Sequence, residues 1–150
     1  MIVWGGARNP DVRDGIARFV GERVDGGLRG FGDCTTMGVI HGETLIAGVV
    51  YHNYSPEAGT IEISGAATDK RWLTRPVLKA MFDYPFNQIG CQMVVARHSE
   101  QDTPLRRMWV AVGAVEYVIP RLRGRDKAEA IALLTDDVWR SSKKIQGREI

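Results

Sequence analysis

Residues 102–113, DTPLRRMWVAVG, carry both a start and a stop signal for one helix and lie between two apolar runs that read as strands. Asp102 or Thr103 serves as N-cap, Pro104 takes the first helical position and Gly113 ends the segment. Leu105, Met108, Trp109 and Val112 form its apolar stripe. Before it stands CQMVVARH, a run expected to be a strand buried on both faces, and after it stands AVEYVIP. Strand, helix and strand in close succession commit the chain to an α/β arrangement, because an amphipathic helix must bury its stripe against a sheet.

The remaining segments follow the same grammar. MIVW is a short strand, and NPDVRDGIARFVG opens a helix with Asn9 as N-cap, Pro10 at its first position and Val12, Ile16, Phe19 and Val20 on one face. GERVDGGLRGFGD is a loop with a short helical turn. CTTMGVI and TLIAGVVYHNY are strands joined across HGE, where Gly42 is free to take a positive φ. TIEISGAAT is a third strand of that meander. A helix then begins near Arg75 or Pro76, and Pro85 bends it or ends its regular part by denying Met81 a backbone hydrogen bond. AVEYVIP and AEAIALLT flank a basic connection, RLRGRDK. The expected order is β-α-β-β-β-α-β-α-β-β, a mixed, mostly antiparallel sheet flanked by helices. With 150 residues this is one domain, residues 1–150, ending in a polar tail from about residue 140.

Composition excludes several classes. Hydrophobic residues at 44% and charged residues at 25% are globular values, so disorder is not expected. No apolar run reaches a membrane span, and MIVWGGARNP lacks the apolar core of a signal peptide. Cys34 and Cys91 are spaced for neither a disulfide framework nor a metal site, so a reduced, cytoplasmic setting is the default. No metal is expected. A net charge of +2 is a thin footprint for duplex nucleic acid.

One stretch runs against helix electrostatics. ATDKRWLTRPVLKAMFDY sets Lys70, Arg71 and Arg75 where a helix begins, although the unpaired N–H groups there favour anions. A phosphate-bearing ligand among these cations would resolve the conflict. Long side chains pointing into water are the alternative.

Order and lengths together resemble the GCN5-related N-acetyltransferase superfamily over nearly the entire chain. Members often carry Asn-x-x-Ala-x-x-Leu-Tyr-x-x-x-Gly-Phe across a helix and strand, and Asp102, Leu105, Met108, Trp109, Gly113 and Ala114 occupy the corresponding positions. VEYVIPRLRGRDKAEAIALL looks like the terminal hairpin of the superfamily. The resemblance implies an acetyl-coenzyme A (acetyl-CoA) donor whose pyrophosphate sits in a loop of pattern Arg/Gln-x-x-Gly-x-Gly/Ala. RWLTRP takes that place with Arg71 matching, and with Thr74 and Pro76 where glycine and glycine or alanine are usual. It further implies cofactor contacts from Ala66, Ala67, Lys70, Arg71, Thr74, Arg75, Asp102 and Trp109. The Thr74 hydroxyl is able to cap the helix or meet a phosphate.

Acetyl transfer to an amine requires a proton acceptor and a stabilised leaving thiolate. Glu62 is the first choice of base, since it alternates with the core-facing Ile61 and Ile63 on the strand that, by the resemblance, flanks the pantetheine arm. His52 and His98 are the next candidates for their titration range, and His41 reads as a solvated turn residue. The superfamily often gives the thiolate a tyrosine, but that position holds Trp109, and indole is no practical acid. Tyr117 on the next strand is one substitute, and departure of the thiolate without help is the other. The expected partner is a small-molecule or peptide amine, with the protein a monomer or homodimer. Arg121, Arg123 and Arg125 alternate and are able to align on one strand face toward an acidic acceptor or phosphate backbone, although a solvated hairpin tip is the stronger reading. A non-catalytic binding or assembly module of the same fold is one alternative. A base-modifying enzyme acting on nucleic acid, as in one phage-encoded branch, is the other.

Overall fold

The computed structural model describes residues 1–24 and 26–142. Seven strands and four α-helices follow one another as β1 (Ile2–Gly5), α1 (Pro10–Gly21), β2 (Cys34–His41), β3 (Thr44–Ser55), β4 (Thr60–Ala67), α2 (Arg75–Asp83), β5 (Met93–Ser99), α3 (Thr103–Ala111), β6 (Val115–Gly124), β7 (Lys127–Thr135) and α4 (Asp136–Ser141). The hydrogen-bonded strand order is β1-β2-β3-β4-β5-β7-β6. β4 and β5 pair parallel, whereas β1–β2, β2–β3, β5–β7 and β6–β7 are antiparallel. The expected strand and helix order is found, with α4 added after β7. No described helix is long and apolar enough to cross a membrane.

The chain packs as two compact units, one of residues 1–54 and 63–81, the other of residues 55–62 and the chain from Phe82. In the first, α1 lies close on β2 and β3. Gly38 and Gly48 are register partners, and a Cβ on Gly48 would come within 2.8 Å of Val20 and 3.0 Å of Ile16. Two glycines side by side thus make a flat floor that lets Ile16 and Val20 bury fully, while Val12 at the helix start stays exposed. Asn9 does not cap α1 with its side chain. Its amide instead closes the preceding loop, donating to the Trp4 carbonyl and accepting from Gly6 N–H, both at 2.8 Å. The turn between β2 and β3 uses Gly42 at φ 63°.

Pro85 acts as its chemistry requires. Regular α2 stops at Asp83, and Tyr84–Ile89 continue as a wider π-type turn ended by Gly90 in the left-handed region. The Met81 carbonyl, four residues before Pro85, takes the buried Tyr51 hydroxyl at 2.6 Å.

In the second unit, β5 and β7 bury one face through Val94, Ala96 and His98 against Leu134, Ala132 and Ala130. β5 therefore alternates rather than being buried on both faces, and Arg97 is exposed. Phe82 packs edge-on against Trp109 at 5.5 Å, and Phe86 stacks on Trp139 of α4 at 5.1 Å. Arg140 and Ser141 belong to α4, and residues 143–150 of the expected polar tail lie outside the described residues. The expected basic connection is mostly strand. β6 runs to Gly124 and β7 begins at Lys127, with a register shift between Ile119 and Gly124 and Arg121 at φ 68°.

Candidate active site

The first unit holds the junction leading into α2. Asp69 caps a single 3-10 turn, Lys70–Trp72, by accepting the Arg71 N–H at 2.9 Å. The Arg71 guanidinium folds back onto the same carboxylate, with Nη2 donating at 2.6 Å and Nε at 3.1 Å, while Nη1 donates to His41 Nε2 at 3.1 Å. This fork lowers the pKa of the Asp69 carboxyl to about 2. Arg71 is therefore a tethered cation, and His41 is its neighbour rather than a merely solvated turn residue. Lys70 and Arg75 are both exposed. Thr74 caps α2, its hydroxyl accepting Val77 N–H at 3.4 Å and its carbonyl accepting Leu78 N–H at 2.9 Å. With Pro76 lacking an N–H, that turn offers a phosphate little beyond the Arg75 amide. The donor set fits a pyrophosphate through side-chain charge rather than through a backbone cradle. Ala66 and Ala67 end β4, the first half-buried and the second exposed.

The same unit contains an open pocket of about 520 Å³, which sequence reasoning did not find. Asp14, Ala17, Arg18, Gly21 and Glu22 form its helical wall, and Leu28, Phe31 and Cys34 line it from the following loop and β2. The signal was present, since those α1 residues fall at i, i+3, i+4, i+7 and i+8. Gly21 and Gly27 bring the walls together, because a Cβ on either would lie within 2.7 Å of the other's carbonyl oxygen. Burial raises the Cys34 thiol, which stays protonated at neutral pH. Behind Phe31 stands His52, buried, 4.9 Å from the Phe31 ring and hydrogen-bonded through Nε2 to Ser64 Oγ at 2.8 Å. Ser64 was not a sequence candidate; it faces the same side of β4 as Glu62, two residues earlier.

The second unit holds the other candidates. Glu62 is half-buried, points away from the buried Ile61 and Ile63, and pairs in register with Val95. Tyr117 is exposed at the sheet edge. Its row runs to Ile131 and Arg97, whereas that of Glu62 runs through Val95 and Leu133 to Val115. Three strand spacings separate them, roughly 14 Å. Tyr117 and Glu62 are therefore not neighbours on the sheet. Asp102 caps α3 by accepting Leu105 N–H at 3.3 Å, and Trp109 is a core residue at 2% exposure. His98 is 5% exposed, and neither ring nitrogen has a hydrogen-bond partner among the described residues. Burial lowers its pKa, Arg106 and Arg123 adding to the effect and Asp102 and Glu116 opposing it. Arg121 and Arg123 of β6 and Arg125 of the following turn do not align: Arg123 turns onto Glu129 at 2.9 Å, while Arg121 and Arg125 stay exposed. Among the described residues no cluster of three His, Cys, Asp or Glu side chains is placed to hold a metal.

No protein-family model matches the sequence, and no curated protein matches it. Solved structures do. A T. thermophilus protein assigned as an acetyltransferase superposes with TM-score 0.68 at 16% identity, covering 83% of this chain and 71% of its own. A GCN5-related N-acetyltransferase from Brucella melitensis gives 0.62 at 20% identity over 76% and 55%. A spermidine N-acetyltransferase variant from Vibrio cholerae gives 0.68 at 12% identity over 99% of both chains. The chain has the fold of the GCN5-related N-acetyltransferases.

Proposed function

We propose that the protein is an acetyl-CoA-dependent N-acetyltransferase acting on a small amine. The observation that carries this reading is the cation-rich entry to α2. Lys70, Arg71 and Arg75 crowd a helix N-terminus, and Asp69 answers Arg71 with negative charge. A pyrophosphate there relieves the conflict between side chains and helix dipole. Acetyl-CoA, when bound, supplies an activated acetyl thioester. Lys70 and Arg75 hold its phosphates, Arg71 shapes the loop, and Ala66 and Ala67 leave room beside the strand for the pantetheine arm. Glu62 takes the proton that an ammonium must lose before attack. His52 is the second choice for that role, since its Nε2 is already committed to Ser64.

The pocket lined by α1 and Phe31 suits the acceptor. Asp14 and Glu22 line it but are paired with Arg13 at 2.9 Å and Arg23 at 3.7 Å, so a cationic amine would share those carboxylates, while Ala17, Leu28 and Phe31 offer its carbon chain an apolar wall. The V. cholerae neighbour acts on spermidine, so a polyamine is the first acceptor to screen. Calorimetric titration with acetyl-CoA tests the donor site. Binding is expected, with Lys70→Ala and Arg75→Ala each weakening it by about 1.5–3 kcal/mol, as for charged hydrogen bonds. Arg71→Ala should weaken it at least as much, because it also leaves the Asp69 carboxylate unpaired beside the phosphates. Absence of heat at millimolar acetyl-CoA refutes the reading.

A further inference from the structure

The turn between β2 and β3 stands beside the junction that leads into α2. Thr68, just past β4, donates its N–H at 2.9 Å and its hydroxyl at 3.4 Å to the Ile46 carbonyl near the start of β3. That double contact fixes the chain's exit from β4 and brings the 3-10 turn Lys70–Trp72 within reach of His41, the last residue of β2. His41 pairs with Thr44 across a tight turn that Gly42 closes. Its side chain meets solvent, but its backbone is held by the sheet.

The chemistry of the pair sets the direction of its contact with Arg71. A guanidinium only donates, so at 3.1 Å His41 Nε2 accepts, and the imidazole is neutral with its proton on Nδ1. The Arg71 fork onto Asp69 spans two residues and belongs to the turn itself, whereas the contact with His41 spans 30 residues and ties the guanidinium to the sheet. A guanidinium has five N–H bonds; here Nε and one on Nη2 go to Asp69, and one on Nη1 goes to His41. One N–H on each Nη is left, a pair suited to an anionic oxygen. The Arg71 side chain is 64% exposed, so with a single anchor it keeps rotational freedom that a ligand must quench. With two anchors, much of that cost is met before binding.

We propose that His41 is a positioning residue for the cofactor. By accepting from Arg71 it holds the guanidinium, and with it the Lys70–Trp72 turn, in the arrangement that receives the acetyl-CoA pyrophosphate. The inference rests on the reading of this junction as the phosphate site. His41 acts through Arg71 and brings no charge of its own to the ligand.

Calorimetric titration with acetyl-CoA at about pH 8, above the ordinary histidine titration range, tests the proposal. His41→Ala is expected to raise Kd about 3- to 10-fold, as when one rotamer-rich side chain must be immobilised on binding. His41→Gln carries an amide oxygen able to accept from Arg71, and should bind within about 2-fold of the parent. On an Arg71→Ala background His41→Ala should add nothing, since its effect runs through Arg71. Without ligand, nitrogen NMR should show His41 as the Nδ1–H tautomer in the parent, with that preference lost in Arg71→Ala. Unchanged affinity in His41→Ala, a His41→Gln variant as weak as His41→Ala, or full additivity with Arg71→Ala overturns the positioning role and leaves the phosphate site standing. An Nε2–H tautomer in the parent overturns it as well. A parent that binds no acetyl-CoA refutes the phosphate reading itself, and the role of His41 with it.

Discussion

Removing the Tyr51 hydroxyl should destabilise the protein through a carbonyl that lies four residues before a proline. Pro85 has no N–H, so the helix cannot supply the partner Met81 O would ordinarily have. Tyr51 supplies it at 2.6 Å, and both residues are buried, at 1% and 3% exposure. Tyr51→Phe keeps the ring, including its stacked contact with Trp4 at 6.2 Å, and removes the donor. Water cannot readily replace it, so the expected loss is that of a buried acceptor left unsatisfied, about 1–3 kcal/mol. For a chain of this length that lowers Tm by roughly 2–4 °C per kcal/mol. Urea unfolding measures it directly. A double-mutant cycle with Pro85→Ala isolates the cause, since alanine returns an N–H to that turn. Against the Pro85→Ala background, Tyr51→Phe should cost less than half as much. A single-variant effect under about 0.5 kcal/mol, or full additivity in the cycle, would refute the reasoning.

Other outcomes follow from the site. Glu62→Gln keeps shape and hydrogen bonding but removes the proposed base, so turnover should fall roughly 10²–10⁴-fold with acetyl-CoA affinity retained; undiminished turnover would shift the role to His52. His98 should make the protein acid-sensitive. Its folded pKa lies below the ordinary 6.5, chiefly through burial, so the unfolded chain binds the proton more readily. Stability is then intact above 6.5 and falls as pH drops below it, by at most about 1.4 kcal/mol per pH unit for one proton. His98→Leu should flatten urea midpoints between about pH 6.5 and 5, and an unaltered pH profile in that variant would sink this account.

The helices α1 and α3 were legible because their punctuation is local: Pro10 and Pro104 near their starts, and Gly113 following α3, act within a turn of where they stand. α4 was not, because DDVWRS is short and its stability rests on Trp139 reaching Phe86, a contact no periodicity reveals. The same division runs through the candidate site. Thr74 as a cap was readable from its place before Pro76, and the structure forms that cap. Asn9 looked like a cap on identical grounds, yet its amide has both a donor and an acceptor to satisfy, and Gly6 and Trp4 satisfy them better than the helix does.

Charges misled for a related reason, since a sequence shows their sign and spacing but not their engagement. Arg121, Arg123 and Arg125 suggested an aligned basic face, which Arg121 breaks with its positive φ and Arg123 leaves for Glu129. That aligned face was one of the features that had suggested a nucleic-acid acceptor. Lys70, Arg71 and Arg75 looked like three equivalent phosphate ligands. Asp69 divides them, because an Asp-x-Arg spacing at the head of a single turn lets one carboxylate hold both the turn's N–H and the guanidinium. What remains for a phosphate is two exposed cations flanking an Arg71 fixed in place. A fixed cation loses less side-chain entropy on binding than a free one, so on the proposed reading the tether that removes Arg71 as an independent charge also prepares the loop to receive an anion.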